Sequence, residues 1–177
     1  MSRRLAEGIG TPPPPVAADA VDAVIALGAN LGDRAATLEA AVAAIARLPL
    51  VLEVRVAVPI ESVAVKPEGP DADAPAYLNT VAVVSTRLAP SVLLDYLHAI
   101  EAKYGRERRE RWGDRTLDLD LISYGDVQSR DDRLTLPHPR AGERDFVLAP
   151  WLTVDADAVL PGRGRVDELL ARLRENA

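Results

Sequence analysis

The chain has 177 residues, the size of one domain, and 48% hydrophobic residues are enough to build a core. Its 27 acidic side chains outnumber 21 basic ones for a net charge of -6, which argues against a nucleic-acid binder. The absence of cysteine excludes disulfides, thiolate metal sites and cysteine nucleophiles and suits a cytoplasmic protein; no apolar run nears the ~18 residues of a membrane span.

Residues 1–20 read as a mobile tail, because Pro12 to Pro15 favour an extended polyproline path that continues neither helix nor sheet. Residues 21–177 are expected to form a single domain. It opens with a short apolar strand, Val21 to Leu27, that ends at the glycine-bearing turn Gly28-Ala-Asn-Leu-Gly32. A helix is expected from Asp33, with Leu38, Val42, Ile45 and Leu48 at helical spacing and Pro49 as its stop. Val51 to Ile60 is rich in β-branched residues and reads as a second strand, Glu61 to Ala76 as a long loop, and Tyr77 to Thr86 as a third strand.

Pro90 opens a second helix carrying Val92, Leu93, Tyr96, Leu97 and Ile100. The strand Leu117 to Tyr124 completes a β-α-β-β-α-β order, so the expected class is α+β with a ferredoxin-like core. Leu134 to Pro139, a mixed segment to Trp151 and a final helix from about Val166 are appended to it.

The densest chemistry lies between Arg106 and Asp120. Six basic residues against three acidic ones from Lys103 to Arg115 give a local charge of +3 in an acidic chain. Leu117, Leu119 and Leu121 then alternate with Asp118 and Asp120. In a strand this sends the leucines to one face and both carboxylates to the other, roughly 6–7 Å apart at Cα. Paired carboxylates suit hard divalent cations, and arginine forks suit phosphate oxygens. Taken singly, the strand would pass for a solvated sheet face and the arginines for a solvated loop. Their junction points to phosphoryl chemistry on a nucleotide.

No G-x-x-x-x-G-K-[ST] loop, dinucleotide fingerprint or H-E-x-x-H pair is present, so phosphates must be gripped by arginine and metal together. A two-metal nuclease or nucleotidyl-transfer enzyme would also use paired aspartates, though with further carboxylates and a basic track. A non-catalytic nucleotide-binding module would keep the arginines without needing both acids.

From Ala23 to Leu173 the chain resembles the 6-hydroxymethyl-7,8-dihydropterin pyrophosphokinases of folate biosynthesis. Five motifs carry the likeness: Leu27-Gly-Ala-Asn-Leu-Gly32; Tyr77-Leu-Asn79; Gly105-Arg106 through Arg111-Trp-Gly-Asp-Arg-Thr-Leu-Asp-Leu-Asp120; Leu134-Thr-Leu-Pro-His138; and Arg144-Asp-Phe-Val-Leu148. The resemblance implies transfer of pyrophosphate from ATP to the hydroxymethyl group of a reduced pterin, with release of AMP. It implies two Mg2+ ions on Asp118 and Asp120, and Arg106 and Arg115 as catalytic contacts to the phosphates, Arg106 on a mobile loop.

By the same resemblance His98, Glu101, Arg111, Arg133, Thr135 and His138 join Arg106 and Arg115 around ATP. Tyr77 and Phe146 sandwich the pterin, Asn79 reads its edge, Trp112 closes the pocket and Arg144 lies beside it. Asn30 supports the pocket from the first turn. Individual roles for Arg108 and Arg109 stay open, because the family's loop varies there by a residue. Ser62, Val63 and Val65 would meet the pterin through their backbone. Ser62-Val63-Ala64 stands here where the family usually has Thr-x-Pro, so this loop is less rigid. Small-molecule substrates, no nucleic acid, no membrane and a monomer are the expected associations.

Overall fold

A computed structural model describes residues 19–66, 69–71, 75–104 and 117–176. The expected tail lies outside them apart from residues 19 and 20, and so does the arginine loop with Arg106, Arg108, Arg109, Arg111, Trp112 and Arg115. β1 spans Val21–Ala29 and leads to a turn in which Gly32 has φ +63°, a left-handed conformation that glycine adopts without steric cost. α1, Arg34–Ala46, is capped by Asp33, whose carboxylate accepts from the Ala36 N–H at 3.0 Å.

The single strand expected over Val51 to Ile60 is two: β2, Val51–Val56, and β3, Ile60–Ser62. Pro59 lies between them, with no N–H to donate to a ladder. The loop expected over Glu61 to Ala76 also holds structure, a small antiparallel hairpin of β4 (Ala64–Lys66) and β5 (Gly69–Asp71). Arg34 ties the two ends of that segment to α1. One guanidinium nitrogen donates to Ala76 O at 2.6 Å and the other to Glu61 Oε1 at 2.8 Å.

β6 covers Tyr77–Thr86 and α2 Pro90–Lys103, with proline in the first turn where its missing N–H costs nothing. β7, Asp118–Tyr124, completes the core. The strands run β2-β6-β1-β7 with every neighbour antiparallel, and β3 continues the β2 side of β6. This is the expected ferredoxin-like arrangement. A short pair follows, β8 (Ser129–Arg130) with β9 (Thr135–Leu136). The segment expected as mixed holds a 3-10 turn at Ala141–Glu143 and a full helix, α3, Asp145–Val154. The hairpin β10 (Val159–Leu160) and β11 (Gly164–Arg165) leads into α4, Val166–Glu175.

Both faces of the sheet are covered. On one, Ile25, Leu27, Ala82, Val84, Leu119 and Leu121 pack on Leu38 and Ile45 of α1 and Leu93 and Leu97 of α2. On the other, Val24, Val81, Val83 and Ile122 pack on Val147, Leu148 and Trp151 of α3 and Leu170 of α4. Each such large side chain contributes about 1.5–3 kcal/mol of burial. The sheet face that carries Asp118 and Asp120 is therefore largely a second core. That core ends before the last cross-strand row. Val81, Ala26 and Asp120 lie side by side, and beyond them Asn79, Gly28 and Asp118. Polar side chains and a glycine replace the apolar lining where α3 stops covering the strands.

Candidate active site

The uncovered end of the sheet is the floor of a cavity of about 460 Å³. Gly28, Ser62, Val63, Tyr77, Asn79, Asp118, Asp120, His138, Arg144 and Phe146 line it. Strand alternation sends Asp118 and Asp120 to one face of β7, while Leu117, Leu119 and Leu121 are buried in the core behind them. The two acids and the two aromatic rings thus share one space. A second depression, at Leu31, Gly32, Asp33, Ala36, Thr37 and Tyr104, is broad and open; Asp33 and Thr37 in it are engaged in capping α1.

Gly28 is required by its neighbours. A Cβ built there would stand 3.0 Å from Asn79 Oδ1 and 3.6 Å from the Tyr77 ring. Asn79, 6% exposed, is held in place by its Nδ2 donating to Ser62 Oγ at 2.7 Å. Ser62 pairs with Tyr77 across β3 and β6, so it orients one side chain and flanks the other. Val65 lies in β4.

Arg144 joins the two halves of the cavity. Its Nη1 donates to Asp120 Oδ2 at 3.1 Å, and its guanidinium carbon stands 5.8 Å from the centre of the Phe146 ring. His138 Nε2 is 4.0 Å from the same Asp120 oxygen. Its Nδ1 accepts from the Arg140 N–H at 3.2 Å, which places the ring proton on Nε2, facing the acid. Burial lowers the His138 pKa, Asp120 raises it in opposition, and Arg144 and Arg140 lower it further, so the imidazole is neutral near pH 7.

Asp118 and Asp120 are hard oxygen donors on one face of β7, and their chemistry fits a hard divalent cation. Among the described residues no three His, Cys, Asp or Glu side chains converge, so those residues by themselves form no closed cage. Magnesium is usually held by one or two carboxylates, with phosphate oxygens and water completing its shell, and this donor set matches that habit.

The other expected nucleotide contacts fall elsewhere. His98 is exposed on α2, and Thr135 is exposed on β9 with its hydroxyl donating to Asp131 O at 3.1 Å. Arg133 Nη2 reaches both oxygens of Asp95 on α2, at 2.7 and 2.9 Å. His98 follows Asp95 by three residues, so these groups share one side of α2 beyond the cavity. Glu101 lies on α2, and its side chain turns toward the sheet. It is 3% exposed, packed between α2 and β7, and its Oε1 accepts from the Leu119 N–H at 2.8 Å. Among the described residues β7 is an outer strand, and a buried carboxylate accepts that N–H in place of a neighbouring strand. Sequence reasoning did not single out Arg34, Arg140 or Glu143, nor the steric need for Gly28 itself. Only the last had a signal, the glycine directly after an apolar strand.

Residues 24–156 match the family model described as 7,8-dihydro-6-hydroxymethylpterin-pyrophosphokinase (HPPK). A 2-amino-4-hydroxy-6-hydroxymethyldihydropteridine pyrophosphokinase of Haemophilus influenzae is 40% identical over 156 residues, 88% of this chain and 95% of the relative. The protein of that name from Pseudomonas aeruginosa is 42% identical over 147 residues, 83% of this chain and 88% of the relative. Among solved structures, a Plasmodium falciparum HPPK-DHPS triple mutant with pteroate superposes with TM-score 0.60 over 89% of this chain at 13% identity, a likeness of fold. The chain spans 44% of the length of that protein.

Proposed function

We infer the work of each side chain from one premise, that the chain belongs to the 7,8-dihydro-6-hydroxymethylpterin-pyrophosphokinase family. It transfers pyrophosphate from ATP to the hydroxymethyl group of 6-hydroxymethyl-7,8-dihydropterin in folate biosynthesis, releasing AMP. ATP is the co-substrate and is used with Mg2+. No helix among the described residues is long and apolar enough to cross a membrane.

The site assignment rests on a single observation: Tyr77, Asn79 and Phe146 share one cavity with Asp118 and Asp120. A flat, neutral heterocycle rich in hydrogen-bonding edges needs ring faces and an amide, and Tyr77, Phe146 and Asn79 supply them. The Ser62 hydroxyl fixes the amide by accepting from Asn79 Nδ2, which leaves Asn79 Oδ1 for the pterin edge. Val63 borders the same space, and Val65 follows it on the adjoining strand.

Asp118 and Asp120 would hold magnesium, two ions in our reading, and the metal would supply charge neutralisation on the transferred phosphates. The hydroxymethyl oxygen attacks the β-phosphorus and gives up its proton to solvent, while the bond from that phosphorus to the α-phosphate oxygen breaks and AMP leaves with the bonding pair. Little covalent work is asked of the protein, so positioning and charge complementarity dominate. Arg144, between Asp120 and Phe146, sits where the ring system meets the phosphates and orients both partners. His138 keeps its proton on Nε2, toward Asp120 and the phosphates. His98, Arg133 and Thr135 extend a nucleotide track along α2 and β9. Arg106, Arg111, Trp112 and Arg115, outside the described residues, complete the grip on ATP and the closure over the pterin. A single domain over residues 21–177 carries all of this.

The test is AMP release from ATP with and without the hydroxymethyl pterin. AMP formed only with pterin and magnesium together supports the assignment. Hydrolysis that ignores the pterin returns the chain to a nucleotide-hydrolysing or merely nucleotide-binding role.

A further inference from the structure

Six of the nine large apolar side chains exposed among the described residues fall in one short stretch: Leu50, Leu52, Val56, Val58, Ile60 and Val63. That stretch is β2, β3 and their flanks, the outer margin of the sheet. Val63 borders the cavity already described, but the β2 residues do not. β2 pairs with β6 on one side, and among the described residues no strand pairs with its other side. Leu52 is 56% exposed and Val56 39%. An exposed apolar edge strand is a template for another strand unless proline, charge or a covering segment blunts it.

The main chain limits how such a strand can join. The Ala57 N–H donates inward to Val81 O at 2.9 Å, so by strand alternation the polar groups of Val54 and Val56 point outward. Antiparallel pairing with an identical edge must then match even-numbered residues with even-numbered ones. Three two-fold registers satisfy this near the strand centre. Centring on Glu53 sets Glu53 against its own copy, and centring on Arg55 sets arginine against arginine. Centring on Val54 sets Glu53 opposite Arg55 in both directions, within the regular part of the strand that begins at Glu53. Like charges directly opposite are destabilising and unlike charges stabilising, so the sequence selects the Val54 register. Arg55 already donates to Asp22 at 3.0 Å and to Val154 O at 3.2 Å, and a guanidinium has five N–H donors, so others remain for the facing glutamate.

We propose that β2 is a self-association edge: two copies of this chain pair antiparallel about Val54 and join their sheets across a two-fold axis, in place of the monomer the sequence suggests. The assignment is independent of the catalytic reading, because Glu53 and Val56 lie outside the cavity.

Sedimentation equilibrium from low to high micromolar concentration tests it. The unaltered chain is expected to reach twice its 19.0 kDa mass. Glu53→Lys, which sets two cations against each other in both pairs, and Val56→Lys are each expected to hold it at the single-chain mass with turnover unchanged. Arg55→Glu alone is expected to be monomeric too. An equimolar mixture of Glu53→Lys and Arg55→Glu restores unlike pairs and is expected to form a one-to-one heterodimer. If Arg55→Glu fails to fold by circular dichroism, the Glu53→Lys and Val56→Lys arms decide. An unaltered chain that stays at single-chain mass throughout, or Glu53→Lys that still doubles, overturns the proposal.

Discussion

Glu101 holds the acidic strand from behind: its Oε1 accepts the Leu119 N–H at 2.8 Å, at the peptide between the two cavity-facing carboxylates. Among the described residues β7 is an outer strand, and Glu101 gives the buried Leu119 N–H its acceptor. A side chain from α2 thus does for the strand what a neighbouring strand does elsewhere, and it fixes the segment that presents Asp118 and Asp120.

Removing that acceptor should harm both the fold and the site. Glu101→Met, similar in length but with no oxygen, strands a buried donor at a cost of about 1–3 kcal/mol. It is expected to lower the melting temperature and to weaken Mn2+ binding by about 10–100-fold, the size of effect seen when supporting shells of metal ligands are removed. Glu101→Gln keeps an acceptor oxygen and is expected to retain most metal affinity, read by electron paramagnetic resonance of Mn2+. A Gln variant as impaired as the Met variant would mean that the charge acts on the nucleotide directly.

Gly28 sets the depth of the pterin floor. Gly28→Ala places a methyl 3.0 Å from Asn79 Oδ1, so the amide must shift and its bond to Ser62 must loosen. Pterin affinity is expected to fall about tenfold or more, about 1.4 kcal/mol or above, while magnesium-nucleotide affinity is kept. Calorimetry with each ligand separately reads the split. An unchanged pterin affinity would show that Asn79 can retreat without cost.

Much of this was legible in the sequence, and the misses have physical causes. β6 was expected over Tyr77 to Thr86 and α2 from Pro90, and both are found there, because strand composition and a proline in the first helical turn are local signals. The alternation around Asp118 and Asp120 correctly separated core from cavity. The break at Pro59 was passed over because β-branched residues flank it on both sides. The β4–β5 hairpin was hidden among prolines usually read as loop. α3 was missed in part because Pro150 lies inside it; its burial against the second sheet face outweighs the lost backbone bond. The bond from Leu119 N–H to Glu101 carries no sequence signal at all. Periodicity says which face a residue takes, but not which backbone donor at the end of a distant strand it will serve.

Tyr124 links stability to high pH. Its hydroxyl donates to Leu88 O at 2.6 Å, and burial raises its pKa above the ordinary 10.0. Because the folded state binds this proton more tightly than the unfolded chain, its contribution is full below pH 10.0 and is lost as pH climbs through the raised folded value. Tyr124→Phe is expected to be less stable by about 1 kcal/mol at neutral pH, with a shallower loss of stability in alkaline solution. Urea denaturation at neutral and alkaline pH measures both. Parallel curves for the two proteins would remove Tyr124 as the source of the slope.

The carboxylate pair gives the sharpest test of the chemistry. Asp118 and Asp120 are half-buried on the cavity side of β7, and neither belongs to the apolar core. Asp118→Asn and Asp120→Asn are therefore expected to melt within a few degrees of the unaltered protein, since surface and cavity-wall changes of this kind rarely exceed about 0.5–1 kcal/mol. Turnover should nevertheless fall by at least about 100–1,000-fold, because the lost charges face the place where phosphate charge develops. Asp120→Asn also removes the anionic partner of Arg144, whose Nη1 lies 3.1 Å from it, so this variant should disturb pterin binding as well. Asp118→Asn should leave pterin binding intact. Measuring AMP release, Mn2+ affinity and pterin affinity for both variants separates the two acids. Near-normal turnover in either would remove that carboxylate from the metal site, and equal pterin losses in both would dissolve the link through Arg144.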